Sequence, residues 1–431
     1  MIRYLIALCL GTSAWADGLP LAEPVFPPLD MAEVELGHLL FYDPVLSGSR
    51  TVSCATCHHP RFATSDGVSL GIGDGGVGLG PDRVFDAKNR PEQRIPRNSP
   101  ALFNLGATEF TSFFHDGRLE VDETRPSGIR TPLGTEMEHG FASVLSAQTM
   151  FPVLSGDEMA GHYSENDVAQ AVRQGFLTGP GGAWDILSNR VEALPEYRDR
   201  FDQVIGERPI AFTDISNMIA AFIAFEWRAD DSPFDRHLRG KDVLSTDELR
   251  GMTLFYGEAG CASCHSGWFQ TDHGFHAIAM PQIGPGKAAR FERHNRDVGR
   301  MRVTGRSEDA FAFRTPSLRN VTQTAPYGHS GAYATLDALI RHHLDPVQSL
   351  QSYTPDHAVL PAEPFETDFV LLTQGREVDD IARANALPVR QLTDDQIADL
   401  LAFLGALSDE TALKGRLGVP DAVPSGLTVE K

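Results

Sequence analysis

Positive charge is scarce in this chain of 431 residues, which has 37 lysines and arginines against 58 aspartates and glutamates. The formal net charge is -21 at pH 7. Nucleic-acid binding needs a basic surface that neutralises phosphates, so this balance excludes a nucleic-acid partner. A basic protein remains a suitable partner, because a strongly negative surface steers positively charged molecules toward itself.

Long apolar runs are also absent beyond the first residues, so the sequence predicts no membrane span. The chain begins with the pattern of an export signal. Arg3 precedes the apolar run "YLIALCLG", and the small residues of "AWA" end at Ala16. We therefore predict a signal peptide over residues 1–16 and a mature protein exported to the periplasm. A lipid anchor on Cys9 is disfavoured, because bulky Leu8 stands where a small residue is needed.

Cysteine is rare, and Cys9 leaves with the signal peptide. Four cysteines remain, and in an exported protein their usual use is two disulfides. Their spacing indicates something else. Residues 54–58 read "CATCH" and residues 261–265 read "CASCH", and C-x-x-C-H is the attachment signature of c-type haem. Two thiols bond covalently to the haem, and the histidine that follows binds its iron.

Two copies of this signature use every remaining cysteine: Cys54, Cys57, Cys261 and Cys264. A thioredoxin-like redox site requires a βαβ context, which the surrounding sequence does not show. A zinc site requires the two cysteine pairs to converge, and it leaves the adjacent His58 and His265 unexplained. The sequence therefore predicts two covalently bound c-type haems.

The two signatures lie 207 residues apart, which predicts one haem domain for each. Helical apolar spacing precedes each of them, in "DMAEVELGHLLFYDP" and in "LSTDELRGMTLFYG", where Ser245 and Glu248 form a capping box. Another amphipathic helix, capped by Thr393, covers residues 392–409. Few strand-like alternations occur, so the predicted fold class is mostly α. We predict an N-terminal domain over 17–228, a linker over 229–244 and a C-terminal domain over 245–431.

A glycine-rich stretch, "GIGDGGVGLGP", covers residues 71–81. A nucleotide-binding loop requires a strand before it and a helix after it. Neither is predicted here, so we expect a flexible surface loop.

At several segments the chain resembles the bacterial di-haem cytochrome c peroxidases and their MauG-type relatives. The segments are "LFYDPVLSGSRTVSCATCHHP", "RNSPALFNLG" with "FFHDGR", "AQTMFPVLSGDEMAG" and "FRTPSLRNVTQTAPYGHSGAYATL". The resemblance covers nearly all of the mature chain. It implies two cytochrome c-like haem domains packed around an inter-haem cleft.

The resemblance implies that the N-terminal haem reacts with hydrogen peroxide and has His58 as its proximal ligand. Classical peroxidases of the family carry a removable distal histidine, and Ile72 occupies the corresponding position here. No histidine occurs between His59 and His115, and His59 is tied by the chain to the proximal side. The first haem is therefore expected to be five-coordinate and open, as in MauG-type proteins.

The family's peroxidatic pocket has a glutamate, a glutamine and a proline, which match Glu158, Gln148 and Pro152. Peroxide cleavage moves a proton from the inner to the outer oxygen, and a carboxylate above the iron can carry it as general acid and base. Glu136, in "TEMEHG", is a weaker alternative, because it lacks the glutamine and the proline.

The resemblance also implies a calcium ion between the haems. Its ligands are expected to be the Asn98 side chain and the backbone carbonyls of Thr324 and Pro326, and oxygen donors suit calcium. Between the haems the family usually has a tryptophan, and His115 replaces it here. Imidazole is harder to oxidise than indole, so a role of His115 in inter-haem transfer is in doubt.

The family's sixth ligand to the second haem is methionine or tyrosine, and His343 aligns with it. The residues "LIRHHLDP" belong to a predicted helix that begins near Thr335. His343 lies on the apolar face of this helix, whereas His342 points about 100° away from His343. We predict that His343 and His265 ligate the second haem, with His342 as the main alternative and Met280 next. Two histidines should give a lower reduction potential than methionine with histidine.

The predicted function is a periplasmic di-haem peroxidase that reduces hydrogen peroxide with electrons relayed through the second haem. The electron donor is expected to be a cytochrome c or a cupredoxin. One alternative is a MauG-type oxidase that modifies a partner protein. A second alternative is a di-haem electron carrier, although an open haem beneath Glu158 argues against it.

Overall fold

The structure is a computed structural model that describes residues 19–20, 22–162, 165–288, 292, 294–360 and 363–431. The predicted signal peptide lies outside these residues. No helix in the described ranges combines the length and the apolar character that a membrane crossing requires.

The described chain is mostly helical, which confirms the predicted fold class. Helices α1 to α15 are, in chain order, Met31–Tyr42, Cys54–Cys57, Val144–Thr149, Asp167–Gln174, Ala183–Glu192, Pro195–Ile205, Phe212–Glu226, Pro233–Leu238, Thr246–Tyr256, Met301–Thr304, Leu336–Leu344, Pro346–Gln351, Gly375–Arg383, Asp394–Gly405 and Glu410–Lys414. Strands β1 to β7 are Gly76–Val77, Val84–Phe85, Ser112–Phe113, Leu119–Val121, Ile129–Arg130, Phe275–His276 and Phe313–Arg314. They pair antiparallel as β1–β2, β3–β4–β5 and β6–β7.

The first half of the chain is organised around the contact of α1 with α7. A glycine makes this contact close, because a side-chain carbon at Gly37 would lie 1.9 Å from the carbonyl oxygen of Met218. Phe41 of α1 also packs against Phe222 of α7, with ring centroids 5.2 Å apart. The C-x-x-C-H motif that begins at Cys54 follows α1 after the 3-10 turn Pro44–Leu46, so this helix pair helps to fix the position of the first motif.

The second half repeats this arrangement with α9 and α14. A side-chain carbon at Gly251 would lie 1.9 Å from the carbonyl oxygen of Asp399. Both predicted caps are confirmed: Ser245 and Glu248 form a capping box at α9, and the Thr393 side chain accepts from the Gln396 amide at α14. The second C-x-x-C-H motif follows α9, just as the first follows α1.

Residues near the predicted linker and at the C-terminus pack into the cores. Helix α8 lies within the stretch predicted as linker, and its Phe234 is fully buried in the second core. The last residues return to the first half, where the Ser425 hydroxyl donates to Asp43 at 2.6 Å. The domain boundaries stay a prediction, but the two halves are joined at more than one place.

Buried ion pairs also join the two halves. Arg94 binds Asp368 at 2.8 Å and Arg97 binds Asp297 at 2.6 Å, and all four side chains are nearly inaccessible to solvent. Removing one partner of such a pair leaves an uncompensated buried charge, which typically costs about 3–5 kcal/mol. These pairs fix the segment that carries Arg97 against the second half.

Candidate active site

The first C-x-x-C-H motif forms the short helix α2, with His58 at its end. The Nδ1 atom of His58 lies 2.9 Å from the carbonyl oxygen of Thr64, to which it can donate its proton. The Nε2 atom has only a long contact of 3.5 Å with the Ser99 hydroxyl, so it is the nitrogen left to bind a metal, which is the usual arrangement for a ligating histidine. Burial lowers the pKa of His58, so the imidazole is kept in the neutral form that binds iron.

The second motif has the same arrangement around His265. Its Nδ1 atom lies 3.0 Å from the carbonyl oxygen of Gln270, so Nε2 is again the nitrogen left for a metal. The pKa of His265 is lowered to about 4, first by burial and then by the nearby imidazole of His343. His265 and His343 therefore lie close enough to interact electrostatically.

The four cysteines of the two motifs are free thiols, which agrees with a role other than disulfide bonding. Burial raises the pKa of the Cys54 thiol to about 12. Burial also raises the pKa of Cys57, and the negative charges of Asp66 and Glu158 raise it further. Glu158 is therefore close to the first attachment motif, although 101 positions separate it from Cys57 in the sequence.

The two adjacent histidines of α11 have different surroundings. His342 is fully buried, and both of its ring nitrogens have partners: Nδ1 lies 3.0 Å from the Tyr333 hydroxyl and Nε2 lies 2.8 Å from the Ile278 carbonyl oxygen. His343 uses only Nδ1, which lies 2.9 Å from the Leu339 carbonyl oxygen, and its Nε2 bonds to no residue that the structure describes. The two rings are perpendicular, with centroids 5.9 Å apart. Of the two, only His343 has a nitrogen available for a metal.

Glu158 lies in a short π-helical turn, Gly156–Ala160. Burial raises the pKa of its carboxyl, whereas the positive charges of Lys287 and Arg118 act in the opposite direction. A raised pKa brings proton exchange by this carboxyl closer to neutral pH, as a general acid–base role requires. The alternative, Glu136, is exposed in the turn Gly134–Glu136 and has no such environment.

Gln148 and Pro152 lie just before this turn in the chain. Gln148 is in the last turn of α3, and its side-chain oxygen is buried without a hydrogen-bond partner in the described part of the chain. Pro152 begins the 3-10 turn Pro152–Leu154, which is followed directly by the turn with Glu158. A buried amide oxygen without a partner is uncommon in proteins and is often explained by a ligand or a water molecule.

The glycine-rich stretch is not the exposed loop that the sequence suggested. Residues 71–76 are buried. The Arg83 side chain holds this segment in place, since it donates to the carbonyl oxygens of Ile72 at 2.6 Å and Gly73 at 2.7 Å. A side-chain carbon at Gly73 would lie 2.3 Å from the Asp157 carbonyl oxygen, and the Asp74 amide donates to the Glu158 carbonyl at 2.9 Å. The segment with Ile72 therefore packs directly against the turn with Glu158.

Arg83 also connects this segment to the end of the chain. Its guanidinium lies 3.5 Å from the Glu430 carboxylate, which in turn accepts from the Thr56 hydroxyl of α2 at 2.7 Å. Sequence analysis did not single out Arg83 or Glu430. The contact between these two residues spans 347 positions, so no local pattern could have indicated it.

We expect the change Arg83→Met to destabilise the protein by about 2–4 kcal/mol. It leaves several buried carbonyl oxygens without donors, and each such loss typically costs about 1–3 kcal/mol. The matched control is Arg200→Met, because the Arg200 side chain is partly exposed and its ion pair within the described residues is with Glu196 on the same helix surface. The control should stay within about 0.5 kcal/mol of the wild type. Urea unfolding of the haem-loaded proteins measures both, and equal midpoints for the two variants would contradict this role of Arg83.

His115 lies in a cluster of charged and aromatic groups between the two halves. Burial and the positive charge of Arg97 lower its pKa well below the usual range. Beside it, His329 stacks on Phe313 with ring centroids 3.7 Å apart, and both of its ring nitrogens are buried without a partner among the described residues. Arg97 holds Asp116 of the first half at 2.8 Å, in addition to Asp297 of the second. His329 lies in the segment "FRTPSLRNVTQTAPYGHSGAYATL", and the sequence alone did not indicate a role for it.

The predicted calcium ligands lie near this cluster. The Asn98 amide donates to the His329 carbonyl at 2.9 Å, so Asn98 is next to the segment that contains Thr324 and Pro326. The Asn98 side-chain nitrogen donates to the carbonyl of Val68 at 2.9 Å, while its side-chain oxygen bonds to none of the described residues. This free oxygen is the atom that a hard cation would take.

Two attachment motifs, each with a histidine prepared to bind iron, define a di-haem c-type protein. The family described as "Di-haem cytochrome c peroxidase" matches residues 31–243. The methylamine utilization protein MauG of Methylorubrum extorquens is 31% identical over 74% of this chain and 71% of its own length. The cytochrome c551 peroxidase of Nitrosomonas europaea is 29% identical over 78% of this chain and 81% of its own length.

A solved structure, that of a MauG-like protein associated with microbial copper homeostasis, is similar over 93% of this chain and 97% of its own. Its TM-score is 0.57 and its sequence identity is 26%. The chain belongs to the di-haem cytochrome c peroxidase family and is an oxidoreductase.

Proposed function

We propose that this protein is an exported di-haem peroxidase that reduces hydrogen peroxide to water with electrons relayed from a second c-type haem. The observation that carries this proposal is the partly buried carboxyl of Glu158, whose pKa is raised by burial, beside the first attachment motif. An electron carrier has no use for such an acid–base group at one of its haems. In the complete reaction, one hydrogen peroxide takes up two electrons and two protons and gives two water molecules.

The residues of both motifs fit covalently bound haem. In the first half, Cys54 and Cys57 would form the thioethers and His58 would bind the iron through Nε2. In the second half, Cys261 and Cys264 would do the same beside His265. The bound haems supply electron transfer, and the first also supplies the iron at which peroxide is cleaved. The two halves would then be cytochrome c-like domains on either side of the cleft with His115.

Glu158 would move the proton that peroxide cleavage requires. In its carboxylate form it takes the proton from the inner peroxide oxygen, and as the acid it returns that proton to the outer oxygen, which leaves as water. The unpartnered side-chain oxygen of Gln148 would orient the peroxide through a hydrogen bond. Pro152, between the two in the chain, would limit what enters above the iron. Ile72 has no group that can bind iron, so the first haem would be open without prior activation.

His343 would bind the second haem opposite His265. The electrostatic contact between these two imidazoles supports the assignment, as do the two occupied nitrogens of His342. Two imidazole ligands favour a low reduction potential. The donor would be a cytochrome c or a cupredoxin, and the net charge of -21 would attract a donor with a basic surface.

A calcium ion between the halves would be held by the free side-chain oxygen of Asn98 and the carbonyls of Thr324 and Pro326.

A MauG-type oxidation of a partner protein is the second candidate function. It is favoured by the replacement of methionine with His343, because a low-potential second haem suits a high-potential cytochrome c poorly. The predicted signal peptide supports a periplasmic location for either function.

The purified protein tests the peroxidase directly. We expect one high-spin and one low-spin haem in the resting state, and steady-state peroxide reduction with at least one reduced cytochrome c or cupredoxin. A panel of reduced cytochromes, cupredoxins and co-encoded proteins separates the functions. Oxidation of a co-encoded protein without cytochrome oxidation would favour the MauG-type function. Two low-spin haems and no peroxide consumption would identify a carrier.

A further inference from the structure

Lysine is the rarest charged residue of this chain, and only one of its five lysines is withdrawn from solvent. Lys88, Lys241, Lys414 and Lys431 are exposed, whereas Lys287 is partly buried. A lysine is seldom buried unless an opposite charge compensates for the lost hydration. The ammonium of Lys287 makes no hydrogen bond within the described ranges, and charged groups of both halves act on it.

The loop that carries Lys287 belongs to the second half but lies against the first. A side-chain carbon at Gly284 would be 2.1 Å from the Leu70 side chain, two positions before Ile72. Gly286 lies against the backbone of Asn295, where such a carbon would be 1.9 Å from the carbonyl oxygen. The Gly284 amide is fixed to the Asp368 carbonyl at 2.8 Å. Lys287 is therefore carried to the same segment that packs on the turn with Glu158.

The charged groups that face Lys287 come from both halves. Arg118 and Arg97 repel it, while Glu158 and Asp297 attract it. Burial and the two arginines lower the pKa of Lys287 to about 8, so it is largely protonated at neutral pH and loses its charge above that value. Asp297 is already paired with Arg97 at 2.6 Å. Arg97 makes this pair with two hydrogen bonds. Of the two acids that face Lys287, Glu158 is the one that no arginine of the described residues holds in this way.

We propose that Lys287 is a positioning residue of the peroxidatic site, whose ammonium keeps Glu158 in the carboxylate form that accepts the peroxide proton. The inference rests on the function proposed above. Glu158 is also faced by Arg118, which acts in the same direction as Lys287, and by Asp157, which acts in the opposite direction. The second half would thereby supply a part of the acid–base site of the first. The site would be complete only when the two halves are packed together.

The test compares Lys287→Met and Lys287→Arg with the wild type, in haem-loaded protein. Methionine removes the charge, so Glu158 should become a carboxylate only at higher pH. The acid limb, which is the pH range in which the rate of peroxide cleavage falls as the pH decreases, should then move up by about one pH unit. At a given pH within or below this range, the reaction should be about tenfold slower than in the wild type. Arginine keeps the charge at all relevant pH values, so the acid limb should stay in place. Lys88→Met is the matched control at an exposed lysine and should behave as the wild type.

A second readout does not depend on turnover. The infrared band of the protonated Glu158 carboxyl, identified by its loss in Glu158→Gln, should titrate at higher pH in Lys287→Met and at the wild-type pH in Lys287→Arg. An unchanged titration in Lys287→Met would overturn the inference, as would an equal shift in Lys287→Arg. A change confined to the potential of the first haem would also overturn it, because Lys287 would then act on the haem. If Glu158→Gln keeps the acid limb, the limb belongs to another group and the proposed function itself fails.

Discussion

Replacing Glu158 with glutamine should slow peroxide cleavage by about 10²-fold or more, the usual scale for the loss of a general acid–base group. The amide has nearly the same size and shape as the carboxyl, but it neither accepts nor returns a proton at neutral pH. Both haem spectra should therefore stay nearly unchanged. Stopped-flow mixing of the haem-loaded variant with excess peroxide measures the effect.

Glu136→Gln is the matched control for this experiment, because Glu136 is the other glutamate that precedes a methionine nearby and it is exposed. Its rate should equal that of the wild type. A slow Glu136→Gln together with a fast Glu158→Gln would show that the pocket was assigned to the wrong segment. A slow Glu158→Gln with altered haem spectra would indicate a structural role for this carboxyl.

Local sequence patterns predicted the parts of the structure that local interactions determine. The capping boxes at Ser245 and Thr393 were visible because a cap and its partner are three positions apart. The attachment motifs were visible because covalent chemistry fixes the spacing of the two cysteines and the histidine. The amphipathic spacing around Leu339 gave the phase of α11, on which the choice between the two histidines depends.

Contacts between distant segments could not be predicted in this way. The glycine-rich stretch looked like an exposed loop because nothing in its own sequence indicates the close approach of the turn with Glu158. The contact of Glu430 with Thr56 is of the same kind, since 374 positions separate the two residues. Lys287 reaches the first half because the two halves pack against each other, with buried ion pairs among their contacts.

The two halves share one construction, which was only partly visible in the sequence. Each has a helix that touches a later helix through a glycine, at Gly37 and at Gly251, and each of these helices precedes a haem-attachment motif. The repeated "LFY" near the end of both helices is a sequence trace of this similarity. The surroundings differ: a partly buried glutamate lies near the first motif and a histidine near the second. One scaffold would therefore provide one reactive haem and one that only transfers electrons.

The second large effect is expected at His343. The change His343→Ala should remove the sixth ligand of the second haem, so its low-spin signal should become high-spin. His343→Met should keep a sixth ligand but exchange nitrogen for thioether sulfur, which raises the reduction potential. That variant should accept electrons more readily from a high-potential cytochrome c. Low-temperature spin-state spectroscopy and a redox titration on the haem-loaded variants measure both results.

His342→Ala is the control, and its expected effect is on stability. Its imidazole bonds to the Ile278 carbonyl and the Tyr333 hydroxyl. The change leaves the carbonyl without this partner, whereas the hydroxyl keeps its bond to Ser349, so the expected cost is about 1–3 kcal/mol. The low-spin signal should persist, because no nitrogen of His342 is free to bind iron. If only His342→Ala removes that signal, the orientation of α11 is wrong. If neither alanine variant removes it, the ligand lies elsewhere, and Met280, which is buried beside Tyr333, is the next residue to replace.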